Sequence, residues 1–171
     1  MEVQYECVYI DTEAQLRELY AKVMYRKIRK WIVISAILAI VFTIAWIVQS
    51  ETSYLLGAGL YTYLMVWYLT LPARKAKSGH QNSLDRFNGK LPPSRIRFGD
   101  EIQYEDGEVK ISWPYRSVKK IHLLSDSIVL EDQTGFCIQF PSNAFVKGTA
   151  SDLLEFLKGQ CPQINLPDWK W

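Results

Sequence analysis

Two stretches decide how this chain is read: WIVISAILAIVFTIAWIVQS (residues 31–50) and TSYLLGAGLYTYLMVWYLTLPA (residues 52–73), parted by the single residue Glu51. Neither contains any of the chain's 20 Lys and Arg, 18 Asp and Glu or 2 His, so the charge of all 171 residues is crowded into the flanking parts. Each stretch matches the ~20 apolar residues that cross ~30 Å of hydrocarbon, and two such runs side by side make an implausible core for one soluble domain. The expectation is an integral membrane protein anchored by a helical hairpin. A mean hydropathy of -0.07 averages two different materials.

The charges next to the stretches give an orientation. Lys22, Arg26, Lys27, Arg29 and Lys30 precede the first, Arg74, Lys75 and Lys77 follow the second, and between residues 19 and 84 the lone acid is Glu51. Lys and Arg near span ends are retained on the cytoplasmic side, so both tails are expected there and the turn at residues 49–53 outside. A cleaved signal peptide is the competing reading, with Val48-Gln49-Ser50 as its cleavage site. A mixed-charge lead of 30 residues is too long for an n-region, and residues 31–48 exceed a usual h-region, which favours an uncleaved anchor.

Trp31, Trp46, Tyr54, Trp67 and Tyr68 sit near span ends, where amphipathic rings prefer the headgroup level. Gly57 and Gly59 permit close backbone approach in the second span. Tyr54, Tyr61 and Tyr68 recur at a spacing of seven and form an intramembrane aromatic face, fit either for a ligand groove or for packing across a helix pair. With no ionisable side chain at membrane depth, a proton relay, an ion-coupled carrier and a voltage sensor are disfavoured.

Outside the hairpin, residues 3–10 alternate with Val3, Tyr5, Cys7 and Tyr9 on one face, a strand pattern. Asp11-Thr12-Glu13 offers an N-cap for a helix expected to run from residue 12 directly into the first span. Residues 74–94, interrupted by Gly79, Gly89 and Pro92-Pro93, read as a linker with a short helix at 81–87. From residue 95 to 140, six short β-like runs alternate with turn signals such as Gly99-Asp100, Asp106-Gly107 and Ser125-Asp126, predicting an antiparallel meander. Ser151-Asp152 then starts an amphipathic helix carrying Leu153, Leu154, Phe156 and Leu157, ended by Gly159 and Pro162, which completes a domain over 95–160. Trp113 and Phe145 are expected to serve its core. Residues 161–171 read as an irregular tail, with Trp169 and Trp171 docking on the membrane surface or the domain.

This layout, with the words Ile111-Ser112-Trp113, Val118-Lys119-Lys120-Ile121, Ile128-Val129-Leu130 and Phe140-Pro141 followed by Phe145, resembles the YcxB-like family of bacterial membrane proteins. The resemblance implies an α+β membrane protein: a two-helix transmembrane hairpin in the bacterial cytoplasmic (inner) membrane, with a pleckstrin-homology-like (PH-like) β-meander closed by a C-terminal helix. It also implies a protein that is not an enzyme. Where that family often has a basic residue after the proline, this chain has Ser142, Asn143 and Ala144.

The search for chemistry returns little. His80 and His122 stand apart, and Cys7, Cys137 and Cys161 form no C-x-x-C, so no metal site is expected and the cysteines read as free thiols of a reducing compartment. His122 with Ser125 or Asp126 is only a polar group at a turn. Nucleophile-elbow, phosphate-loop and dinucleotide fingerprints are absent, so neither catalysis nor a cofactor is expected. A net charge of +2 disfavours nucleic acid as a partner. Arg116, Lys119 and Lys120 in the β-domain, together with the cations flanking the spans, suit an anionic leaflet. The function expected is a membrane-anchored, non-enzymatic binding or regulatory protein with a protein partner or self-association; the alternative is a membrane immunity protein that neutralises a toxin.

Overall fold

The computed structural model describes residues 3–26, 28–162 and 164. The chain divides into a helical unit, Leu16–Gln81, and a β-rich unit assembled from Met1–Gln15 and Asn82–Trp171. It is α+β, with two long apolar helices, antiparallel sheets and a C-terminal helix.

Strand β1 (Tyr5–Tyr9) leads to helix α1 (Glu13–Leu19) through a reciprocal cap: the Gln15 amide donates to Thr12 Oγ1 (3.3 Å) and the Thr12 amide to Gln15 Oε1 (3.1 Å). The expected continuous helix into the first apolar stretch is interrupted. Residues Tyr20–Met24 form a π-turn, closed by the Tyr25 amide on the Tyr20 carbonyl at 2.8 Å, before α2 (Ile28–Gln49) begins. Lys22, Arg26 and Lys30 recur at four-residue spacing, so an unbroken α-helix would stack three like charges on one face.

After Ser50 and Glu51 the chain turns into α3 (Thr52–Arg86), 35 residues long. The sequence reading of 74–94 as a linker is corrected here: the helix passes through Pro72 and takes in residues 81–86. Ala73, Arg74, Lys75, Ala76 and Lys77 are strong helix formers, which outweigh the one backbone bond that the proline forfeits. The true stop is at Gly89, whose φ of 82° is cheap only for glycine and whose amide bonds back to the Leu84 carbonyl at 2.7 Å. Within the helical unit, Phe42 of α2 lies against Gly57 of α3, so close that a Cβ there would sit 2.5 Å from the ring.

The six strands expected between 95 and 140 are present as β2 (Ser94–Phe98), β3 (Ile102–Asp106), β4 (Val109–Trp113), β5 (Val118–Leu123), β6 (Ser127–Asp132) and β7 (Cys137–Pro141). They form two sheets rather than one meander. Pro114 cannot donate to a ladder, and a 3₁₀ turn at Tyr115–Ser117 follows it, so the chain leaves the first sheet after β4. That sheet has the order β4-β3-β2-β1-β8, where β8 (Phe145–Lys147) is a short strand the sequence reading lacked; the second has the order β5-β6-β7.

The N-terminal strand lies inside the first sheet, paired with β2 from Tyr5↔Phe98 to Tyr9↔Ser94 and with β8 on its other side. Alternation fixes which face turns inward. Cys7, Ile96, Phe98 and Ile102 from the first sheet meet Ile121, Ile128, Leu130, Ile138 and Phe140 from the second in one core. Helix α4 (Ala150–Gln160) adds Leu153, Leu154 and Leu157, each fully buried and worth about 1.5–3 kcal/mol of transfer free energy. Its cap is Thr149, two residues before the expected Ser151, and Gly159 lies within the helix instead of ending it. Thr149 wins because its Oγ1 is placed to accept the Asp152 amide at 3.2 Å.

Candidate functional site

In the β-rich unit the outward face of the first sheet is a polar ladder. Arg97 reaches Glu6 at 3.1 Å and Glu105 at 3.8 Å, Arg95 reaches Glu6 at 3.5 Å, and Lys110 reaches Glu105 at 3.3 Å. Charges alternate across β1, β2, β3 and β4, which gives a compensated, solvated face rather than a field of one sign. The ladder ends at β4, an edge strand. Beside it Gln103, Tyr104, Glu105, Lys110, Ile111 and Ser112 line an open cleft of about 220 Å³. The other edge is blunted, since β8 has three residues and Lys147 Nζ donates to the Val3 carbonyl.

Trp113, at the end of β4, is buried and meets Phe136 edge-on at 5.6 Å. Phe145 stacks edge-on against Phe140 at 6.2 Å. Both aromatics therefore belong to the packing of the domain. The burial does not extend along β4, because Val109 at its far end, on the same face as Trp113, is 40% exposed.

Arg116, Lys119 and Lys120 are exposed at the turn into β5, where Lys119 is the extra residue of a bulge. This corner is less cationic than the sequence implied: Lys119 approaches Glu131 at 3.9 Å, and the other Glu131 oxygen holds His122 Nε2 at 2.7 Å. His122 thus has a partner in Glu131, one strand away.

Burial disarms the thiols. Cys7 is pushed up to about 12 by desolvation and then by Glu6; Cys137 is raised to about 11 by desolvation, Glu131 and Asp132; Cys161 is raised to about 11 by desolvation. A thiol so shifted is a poor nucleophile at neutral pH. Among the described residues, no three His, Cys, Asp or Glu side chains gather as metal ligands.

One cluster escaped the sequence reading. At the end of β1, Asp11 lies near Asp106 of β3, and Asp106 Oδ1 accepts the Ser94 hydroxyl at 3.2 Å. Desolvation, with Asp106 as the second cause, lifts Asp11 to about 6. Burial first and then the same carboxylates raise Tyr104, and burial followed by Asp11 raises Tyr9, whose hydroxyl donates to the Gln139 carbonyl at 2.5 Å. In the sequence Asp11 looked like part of a cap and Asp106 like part of a turn; only strand pairing brings them together.

In the helical unit, Tyr54 and Tyr61 face α2, with Phe42 at 6.3 and 5.4 Å from their rings, so this part of the aromatic row packs the helix pair. Tyr68, two turns further along, is half-buried. Lys22 is bonded to Glu18 at 2.6 Å, Arg74 stacks 4.8 Å over Trp67, and Arg26, Arg29, Lys30, Lys75 and Lys77 are exposed. Lys27, and the tail tryptophans Trp169 and Trp171, lie outside the described residues. Helices α2 and α3 are long and apolar enough to cross a membrane. Compared with family models, curated proteins and solved structures, the chain finds no match.

Proposed function

We propose that this chain is a membrane-anchored, non-enzymatic binding protein of the bacterial inner membrane. The hairpin of α2 and α3 anchors it with both tails in the cytoplasm, and the β-rich unit acts as a PH-like module that offers strand β4 to a protein partner or a second copy. The observation that carries the reading is the free edge of β4 beside an open cleft, on a domain whose opposite edge is blunted. An edge strand presents unpaired backbone groups, and an added strand would gain main-chain hydrogen bonds there while its side chains enter the cleft over Tyr104 and Ile111. Two sheets packed under a C-terminal helix support the PH-like comparison, and with the apolar hairpin they support the resemblance to the YcxB-like family. The disarmed thiols support a binding role over catalysis.

The test is site-specific photocrosslinking in cells from position 112 on β4, with position 146 on β8 as the control. A discrete adduct from Ser112 that is lost when Lys110→Pro removes a backbone donor from the free edge supports the proposal. Equal crosslinking from both edges, or an adduct indifferent to the proline, counts against it.

A further inference from the structure

We propose that the cationic end of the hairpin is a binding site for an anionic phospholipid, whose phosphate is held by Arg74, Lys77 and Ser78 on α3. This rests on the reading of the hairpin as a membrane anchor. The helix itself arranges the groups: positions 74, 77 and 78 are related by three- and four-residue steps, so they share one face, and all three are exposed. On the same row, toward the apolar part, lie Trp67, Tyr63 and Leu60, which are 40, 59 and 57% exposed. One stripe of α3 therefore changes along its length from an apolar strip that suits an acyl chain to two cations and a hydroxyl that suit a phosphate.

The depth of the change is marked by an aromatic residue. The Arg74 guanidinium lies 4.8 Å over the Trp67 ring, and tryptophan settles at the level of the headgroups. Neighbouring cations deepen the potential at that level. Phe42 against Gly57 and the Tyr20 hydroxyl 3.8 Å from the Cβ position of Gly79 lay the two arms of the hairpin antiparallel, so the cations that precede or open α2, Arg26, Arg29 and Lys30, belong to the same end of the hairpin as Arg74. No acid lies between residues 19 and 84 except Glu51, at the opposite end of both helices. Among the described residues, no carboxylate pairs with Arg26, Arg74 or Lys77. A soluble anion would use only the cationic half of the stripe, whereas a phospholipid uses both halves.

The experiment is native mass spectrometry of the full chain, purified in a neutral detergent, with equimolar phosphatidylglycerol and phosphatidylcholine. Wild type is expected to retain phosphatidylglycerol preferentially. The Arg74→Gln/Lys77→Gln double variant should reduce that retention by roughly fivefold for each cation removed, with phosphatidylcholine binding unchanged as the sign of an intact fold. Arg74→Lys should keep most of the preference, and Lys90→Gln, in the β-rich unit, all of it. Equal retention of the two lipids by wild type would overturn the proposal, as would an undiminished preference in the double variant or displacement by equimolar inorganic phosphate. Carbonate extraction separates the two levels: a chain that stays in membranes but has no lipid preference refutes this site alone, whereas a chain released by carbonate refutes the anchor and the site together.

Discussion

Replacing Asp11 by Asn probes the buried carboxylate corner of the β-rich unit. The Asp11 carboxyl rises from 3.8 to about 6, first through desolvation and then through Asp106. The folded state therefore binds this proton more tightly than the unfolded chain. Below about pH 3 both states are protonated and the site costs nothing. As pH climbs through the window from about 4 to 6, the unfolded chain ionises first and stability falls; above 6 the penalty is complete. About two pH units at 1.36 kcal/mol each set an upper bound of about 3 kcal/mol, reduced toward 1–2 by the side chain's partial exposure. Asn keeps the shape and carries no charge. Asp11→Asn should therefore stabilise the full chain in detergent micelles by about 1–2 kcal/mol at pH 7.5 and leave it nearly unchanged at about pH 3. Pulse proteolysis across urea reads this directly: with a slope of about 1–3 kcal/mol per molar urea, the midpoint should move up by about 1 M at the higher pH only. Equal shifts at both pH values, or a loss of stability at pH 7.5, would refute the reasoning.

Trp113→Ala should destabilise the β-rich unit by about 3–5 kcal/mol, since the side chain is buried and leaves a cavity beside Phe136; lower abundance of folded protein in membranes would report it. Phe145→Ala, at a half-buried ring, should cost less, and either variant that stays folded yet loses a crosslinked partner would make its residue part of a binding site. Deleting residues 1–10 removes the strand between β2 and β8, so proteolysis of the β-domain should accelerate strongly; unchanged digestion would make β1 peripheral. Gly57→Leu would drive a side chain into Phe42 and should loosen the helix pair, seen as faster thermal inactivation in micelles, whereas Gly59→Leu, with open space around it, should be tolerated.

The strands were legible where each apolar alternation was bounded by its own turn pair, as at Gly99-Asp100 and Asp106-Gly107. Their division into two sheets was less so, because a sheet switch depends on where the next strand finds a partner. Strand β8 was missed because three residues carry too little period to read. That α3 continues through Pro72 and past Gly79, and that the helix ahead of α2 is interrupted where Lys22, Arg26 and Lys30 would stack, depend on balances of local terms that the pattern alone does not weigh. The Asp11–Asp106 corner lay beyond sequence reasoning: each residue has a sufficient local explanation, and although the apolar face of Val3, Tyr5, Cys7 and Tyr9 requires the strand to be covered by the β-domain, its spacing does not say which strands flank it.

The central claim is a hairpin that crosses the membrane with its Ser50-Glu51 turn outside and both tails inside. A Ser53→Cys variant, treated in intact cells with a membrane-impermeant maleimide, tests it most directly. The native thiols give a low background, because burial holds Cys7, Cys137 and Cys161 well above the usual thiol range. The account predicts rapid labelling at position 53 in intact cells, and labelling of a cysteine introduced at Glu13 only after the cells are broken. Labelling of position 13 from outside, or protection of position 53 until lysis, would contradict it.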